Sequence, residues 1–175
     1  MTNFGVMISL SHLNAMSKDD FISILGGIYE HSDWVAERVF QQRPFPNPEN
    51  LRLAMRQTVE DAADDEKLAL IRAHPDLAGK LARAGALTEA STREQAGLGL
   101  DRLSDGEYEQ FSDRNKRYRE RFGFPFIICA RQTSKQGVLD AFETRLTNST
   151  EAEISEALRQ IHEIARLRLE DAIMG

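Results

Sequence analysis

The sequence predicts an all-α fold: a single compact domain over residues 1–175, with about seven to nine helices packed around one core. Three observations carry this reading. Apolar residues recur at three- and four-residue spacing along nearly every segment, as on a helix with one buried face. Glycine and proline fall almost entirely between those segments. The one strand-like run, Phe122–Ala130, has no second run to pair with, and one run cannot build a sheet.

Taken in order, residues 1–15 are expected to be loosely ordered. Ser17 then caps a first helix over Phe21–Tyr29. A second runs from Ser32 through Val35 and Val39 to Phe40, with Trp34 and Phe40 as core residues. It stops before Arg43-Pro44-Phe45-Pro46-Asn47-Pro48, where alternating prolines forbid helix. Asn47 and Pro48 cap and open the helix of Glu49–Ala62, which carries Leu51, Met55 and Val59 on one face. Asp64 starts another, through Leu68 and Ile71, ended by His74-Pro75. Ser91 and Glu94 have the spacing of a capping box, and so do Ser104 and Glu107, ahead of a charged helix holding Tyr108, Phe111 and Tyr118. Helices over Ser134–Leu146 and Glu151–Ile173 complete the chain.

Composition narrows the function. Twenty-two Lys and Arg against 28 Asp and Glu give a net charge of -6. With no basic block, that balance excludes a nucleic-acid binder held by phosphate contacts. A single cysteine, Cys129, excludes an internal disulfide framework and a thiolate-rich zinc site. No apolar run approaches the ~20 residues of a membrane helix. The start, Met1-Thr2-Asn3-Phe4, lacks the pattern of a secretory leader. The tail, Ile173-Met174-Gly175, is not a peroxisomal address, so a cytoplasmic setting is expected.

Some residues are ones a packed helical domain does not need. In the last helix Ile154, Leu158, Ile161, Ala165 and Ala172 define an apolar stripe, and Arg168 falls on it. A guanidinium there keeps its charge and needs an anion or water; the bland alternative is a side chain that snorkels outward. Arg159, His162, Arg166 and Glu170 read as solvated. His74 precedes a proline, so it sits at a helix break with its ring off the stripe, placed for proton transfer. Equally, it could satisfy the last carbonyls of its helix. Gly97 and Gly99 loosen the segment that Ser91 opens, which suggests close approach to something. His12, His31, His74 and His162 are scattered, with no metal-ligand spacing. Cys129, inside an apolar run, reads as core filler without a chemical role.

Five segments together resemble the OHCU decarboxylases: Glu30-His31-Ser32-Asp33-Trp34-Val35-Ala36, His74-Pro75-Asp76-Leu77-Ala78-Gly79-Lys80, Ser91-Thr92-Arg93-Glu94-Gln95, Phe126-Ile127-Ile128-Cys129-Ala130 and Ile164-Ala165-Arg166-Leu167-Arg168-Leu169. They run in order along nearly the whole chain. Asp33 stands where that family commonly has proline, which bears on one helix start and not on the chemistry. The resemblance implies an all-α homodimer that decarboxylates 2-oxo-4-hydroxy-4-carboxy-5-ureidoimidazoline, a ureide between urate and allantoin, without a cofactor or metal. It implies His74, Glu94 and Arg168 as catalytic residues. It also implies Pro75, Ser91, Thr92, Arg93, Gln95, Phe126, Ile127, Ile128, Cys129 and Ala130 as substrate contacts. Some relatives are fused to a transthyretin-like hydrolase, which points to functional coupling with 5-hydroxyisourate hydrolase. Two other readings of the residues stay open: an inactive helical interaction module, and a lyase acting on another ureide.

Overall fold

The computed structural model describes residues 6–175. Over them the chain is all-α: ten α-helical stretches, one a single turn, two 3-10 turns and one pair of two-residue strands. None of the described helices is long and apolar enough to cross a membrane. The backbone gathers into two compact units. The first holds the chain through Ala73 together with His162–Gly175, and the second holds His74–Ile161.

The first unit begins with β1 (Ile8–Ser9), α1 (Leu10–Ala15) and α2 (Lys18–Leu25). The expectation of loose order over residues 1–15 is corrected here for the described part: Leu13 is fully buried and Ser9 caps α1 by accepting from His12 N–H. Met1–Gly5, the rest of that span, lie outside the described residues. Ser17 caps α2 as expected, but the helix stops at Leu25, short of Tyr29. A close approach follows directly. A Cβ on Gly26 would lie 2.7 Å from Asp33 Oδ1, so only glycine fits where the chain doubles back.

Next come α3 (Trp34–Val39), a 3-10 turn at Phe40–Gln42, α4 (Pro48–Glu60) and α5 (Asp64–Arg72). Asn47 Oδ1 accepts from Asn50 N–H at 2.8 Å and Pro48 opens α4, as the sequence predicts. Leu51, Met55 and Val59 are buried on one face. Trp34 and Phe40 are only half-buried, a correction to their reading as core. Arginines cover them instead: Arg38 lies 4.4 Å above the Trp34 ring, and Arg43 lies 3.6 Å above Phe40.

The last helix, α10 (Thr150–Ala172), belongs to the first unit from His162 onward and leads into β2 (Ile173–Met174). β2 pairs in parallel with β1, Ile8 opposite Ile173 and Ser9 opposite Met174. This tiny sheet is not where the sequence looked for a strand. Two residues are too few to show a period-2 pattern.

In the second unit, α6 (Lys80–Arg83) is one turn, followed by α7 (Glu89–Gly97), α8 (Asp105–Phe122), a 3-10 turn at Ala130–Gln132, α9 (Lys135–Arg145) and the first half of α10. Its core is aromatic. Tyr118 meets Phe122, Phe124, Phe126 and Phe142 edge-on or tilted, and Phe126 stacks on Phe142 at 3.8 Å. Each such ring contributes roughly 1.5–3 kcal/mol by burial, with a further ~0.5–1.5 per aromatic pair. Gly123 ends α8 at φ 80, handing the chain to the Phe124–Cys129 run, which is buried except for half-buried Ile128. That run is not a strand; among the described residues it has no ladder partner.

Candidate active site

His74 is 7% exposed. It follows Ala73, the C-cap of α5, and Pro75 after it has no N–H to carry the helix on. The loop behind it is held at Asp76, Leu77 and Ala78. Arg119 Nε donates to Asp76 Oδ1 at 2.8 Å, and Asn115 Nδ2 donates to Leu77 O at 2.8 Å. Ala78, at φ 52, donates its N–H to Gln95 Oε1 at 2.9 Å, while Gln95 Nε2 donates to Asp76 O at 3.3 Å. A left-handed alanine persists only where surrounding bonds over-determine it, and here α7 and α8 supply them. Both ends of the Gln95 amide are therefore used to staple the histidine loop.

α7 sorts the segment around Glu94 by face. Ser91 and Gln95, one turn apart, are buried, and Glu94 beside them is half-buried. Thr92 and Arg93 point to solvent, where Thr92 Oγ1 donates to Thr88 O and Arg93 pairs with Glu89 at 2.9 Å. The capping-box reading of Ser91 and Glu94 is corrected. Ser91 lies inside the helix, and Thr88 is the cap, its Oγ1 accepting from Ser91 N–H at 3.2 Å.

α7 packs against the Ala130–Gln132 turn, which closes the Phe126–Ala130 segment. Two buried side chains fix that segment's backbone. Arg145 Nη1 donates to Ile127 O at 2.6 Å, and Gln160 Oε1 accepts from Cys129 N–H at 2.8 Å. Cys129 is itself 2% exposed, in keeping with a backbone role. The second unit thus joins the His74 loop, the Ser91–Gln95 face and the Phe126–Ala130 run through named bonds and contacts. Among the described residues, no group of three or more His, Cys, Asp or Glu could hold a metal ion.

Arg168 belongs to the first unit and is 5% exposed, on the buried stripe where the sequence placed it. Its partner there is an anion, Glu30, whose Oε2 accepts from Arg168 Nη1 at 2.8 Å; Gly27 O accepts from the same nitrogen at 3.0 Å. Sequence reasoning left an anion, water or an outward side chain open here and could not select Glu30, 138 residues away. It also misplaced His162, which is 6% exposed, not solvated. His162 Nε2 lies 2.9 Å from Glu60 Oε1, and Nδ1 lies 2.9 Å from Tyr29 Oη. A carboxylate only accepts, so Nε2 donates to Glu60 and Tyr29 donates to Nδ1. Burial pushes the imidazole below its usual pKa and the Tyr29 phenol above its own.

The described geometry sits in a chain whose residues 14–170 match the profile of the OHCU decarboxylase family. The chain belongs to that family. A 2-oxo-4-hydroxy-4-carboxy-5-ureidoimidazoline decarboxylase from Haloferax volcanii is 43% identical over 162 residues, covering 93% of this chain and 94% of that one. The uric acid degradation bifunctional protein PucL of Bacillus subtilis is 39% identical, but this OHCU decarboxylase family member spans only 33% of its length. Among solved structures, the crystal structure of (S)-allantoin synthase superposes with a TM-score of 0.77 at 33% identity, over 95% of this chain and 54% of that one.

Proposed function

We propose that the chain decarboxylates 2-oxo-4-hydroxy-4-carboxy-5-ureidoimidazoline to (S)-allantoin in urate degradation. Family membership supports the reaction class. The observation that carries the site is His74: a buried histidine at a helix break, its following loop bonded at Asp76, Leu77 and Ala78.

The substrate carries a hydroxyl and a carboxylate on one ring carbon, next to a C=N. Breaking the bond to the carboxylate releases carbon dioxide, and the electron pair moves toward the C=N, whose nitrogen takes a proton. The resulting electron-rich double bond is then protonated on the ureido-bearing carbon as the hydroxyl gives up its proton to become a carbonyl. Because the ring is its own electron sink, the reaction needs no cofactor or metal from the protein.

His74 serves as general acid and base for these proton movements. Arg168 binds substrate oxygens in the geometry from which the carboxylate leaves. Glu94 orients the ureido or hydroxyl donors, or sets the protonation of His74. Ser91, Gln95, Pro75 and the backbone of Phe126–Ala130 read the remaining groups. Thr92 and Arg93, the other contacts the resemblance implies, stand on the exposed face of α7 and complete this set.

The chain works as a homodimer in the cytoplasm and receives its substrate from a 5-hydroxyisourate hydrolase. The naming of the Bacillus relatives as uric acid degradation bifunctional proteins, of which this chain spans about a third, supports coupling to another step of uric acid degradation. The deciding experiment supplies freshly generated substrate and follows allantoin by circular dichroism. Accelerated appearance of the S form establishes the function, and a rate equal to the spontaneous one refutes it.

A further inference from the structure

Resting on that functional reading, we propose that Glu30 is a positioning residue for the decarboxylation and acts through Arg168. The argument begins with donor arithmetic. A guanidinium Nη1 carries two hydrogens. In Arg168 one goes to the Glu30 carboxylate at 2.8 Å and the other to the Gly27 carbonyl at 3.0 Å. A guanidinium bonded twice at one nitrogen, in two directions, has its plane fixed. Both members are withdrawn from water, with side chains 5% and 1% exposed. The substrate therefore meets an arginine whose orientation is set before binding.

Glu30 is held as firmly as the residue it holds. The chain reverses direction directly after it. Ser32 N–H donates to Tyr29 O at 3.1 Å, and Ser32 Oγ donates to Glu30 O at 2.9 Å. Between them His31 sits at φ 47, a conformation a non-glycine residue adopts only under such constraint. The bend presents Glu30 inward while the His31 side chain stays 63% exposed.

The carboxylate has a second consequence. It offsets the Arg168 charge, so the substrate anion meets a neutralised pair. Orientation is favoured at the expense of raw attraction, and that separates positioning from a merely structural role in steady-state kinetics. Replacing the carboxylate by an amide keeps the shape but removes the charge, and with it the charge-assisted bond that fixes the guanidinium and the neutralisation. Glu30→Gln is expected to lower kcat by about tenfold or more while KM stays level or falls, with (S)-allantoin losing enantiomeric purity. Glu30→Asp keeps the charge but cannot reach; it is expected to lose kcat with KM unchanged.

Folding of each variant is checked by circular dichroism, and only folded enzyme is assayed. A folded Glu30→Gln with kcat within twofold of the parent overturns the proposal, as does one that loses only affinity. If Glu30→Gln does not fold, Glu30→Asp decides on the same kcat criterion. The parent's own acceleration of (S)-allantoin formation is measured alongside. Its absence sinks the functional reading, whereas its presence with an indifferent Glu30 sinks this inference alone.

Discussion

Arg145 and Glu153 form an ion pair at 2.8 Å with side chains 7% and 0% exposed. Tyr118 donates its hydroxyl to Glu153 Oε1, and Asn148 Nδ2 donates to Oε2 at 2.9 Å. On the other side the guanidinium covers the Phe126 ring at 4.2 Å and donates to Ile127 O. A charge pair inside the aromatic core thus also holds the backbone of the Phe126–Ala130 segment, which the proposed function assigns to substrate contact. Glu153→Gln leaves Arg145 buried without its counter-charge and is expected to cost about 3–5 kcal/mol. Urea unfolding measures this, and a loss below about 1 kcal/mol would show the pair to be dispensable.

His74 is expected to be essential to turnover and of little consequence to folding. His74→Asn should reduce kcat by about 10²–10⁴-fold, the range for removing a general acid or base. A circular dichroism spectrum identical to the parent's must accompany the loss. Undiminished turnover would remove His74 from the chemistry.

Gln95→Leu tests the staple on the histidine loop. Leucine fills similar space but leaves Ala78 N–H and Asp76 O without their partner, at about 1–3 kcal/mol for each group left buried and unsatisfied. Amide hydrogen exchange at Ala78 is expected to quicken, with kcat falling in step. Unaltered exchange would mean the loop holds itself.

The Tyr29–His162–Glu60 chain sets an acid limb on stability. Burial holds His162 below its usual pKa of about 6.5, so the unfolded chain binds more protons than the folded one between the two values. This contribution is complete above about pH 6.5 and is lost as pH falls toward the depressed folded value. In urea titrations near pH 7.5, 6.5 and 5.5, His162→Gln should fall less steeply than the parent. Parallel curves would contradict the assignment.

Thr88→Ala is expected to cost about 0.5–2 kcal/mol and to fray the first turn of α7, seen as faster exchange at Ser91 N–H. An effect no larger than that of an exposed Ser→Ala control would return the cap to Ser91.

The contrast between Thr88 and Ser91 shows what a sequence can reveal. Caps at Ser17, Asn47 and Ser104 were legible because the cap side-chain oxygen accepts from an N–H three residues on, within one local pattern. Thr88 and Ser91 are hydroxyl residues one turn apart, and only burial distinguishes cap from helix interior. Arg168 was legible as an anomaly, since its periodicity put a charge on a buried stripe. Its partner was not, and neither were the partners of His162: Tyr29 and Glu60 lie 133 and 102 residues away. Periodicity says which side of a helix turns inward but carries no address for what waits there. The segments of the proposed site come from the resemblance, whereas the staple from Gln95 to Ala78 is a tertiary fact.

Trp34 is the only tryptophan in the chain, and it lies half-buried under Arg38 in the first unit. The second unit, with His74 and Glu94, contains none. Intrinsic tryptophan fluorescence is therefore a selective reporter on this molecule. Its denaturation midpoint belongs to the Arg168 unit alone, and comparing it with the helical circular dichroism signal shows directly whether the two units melt as one.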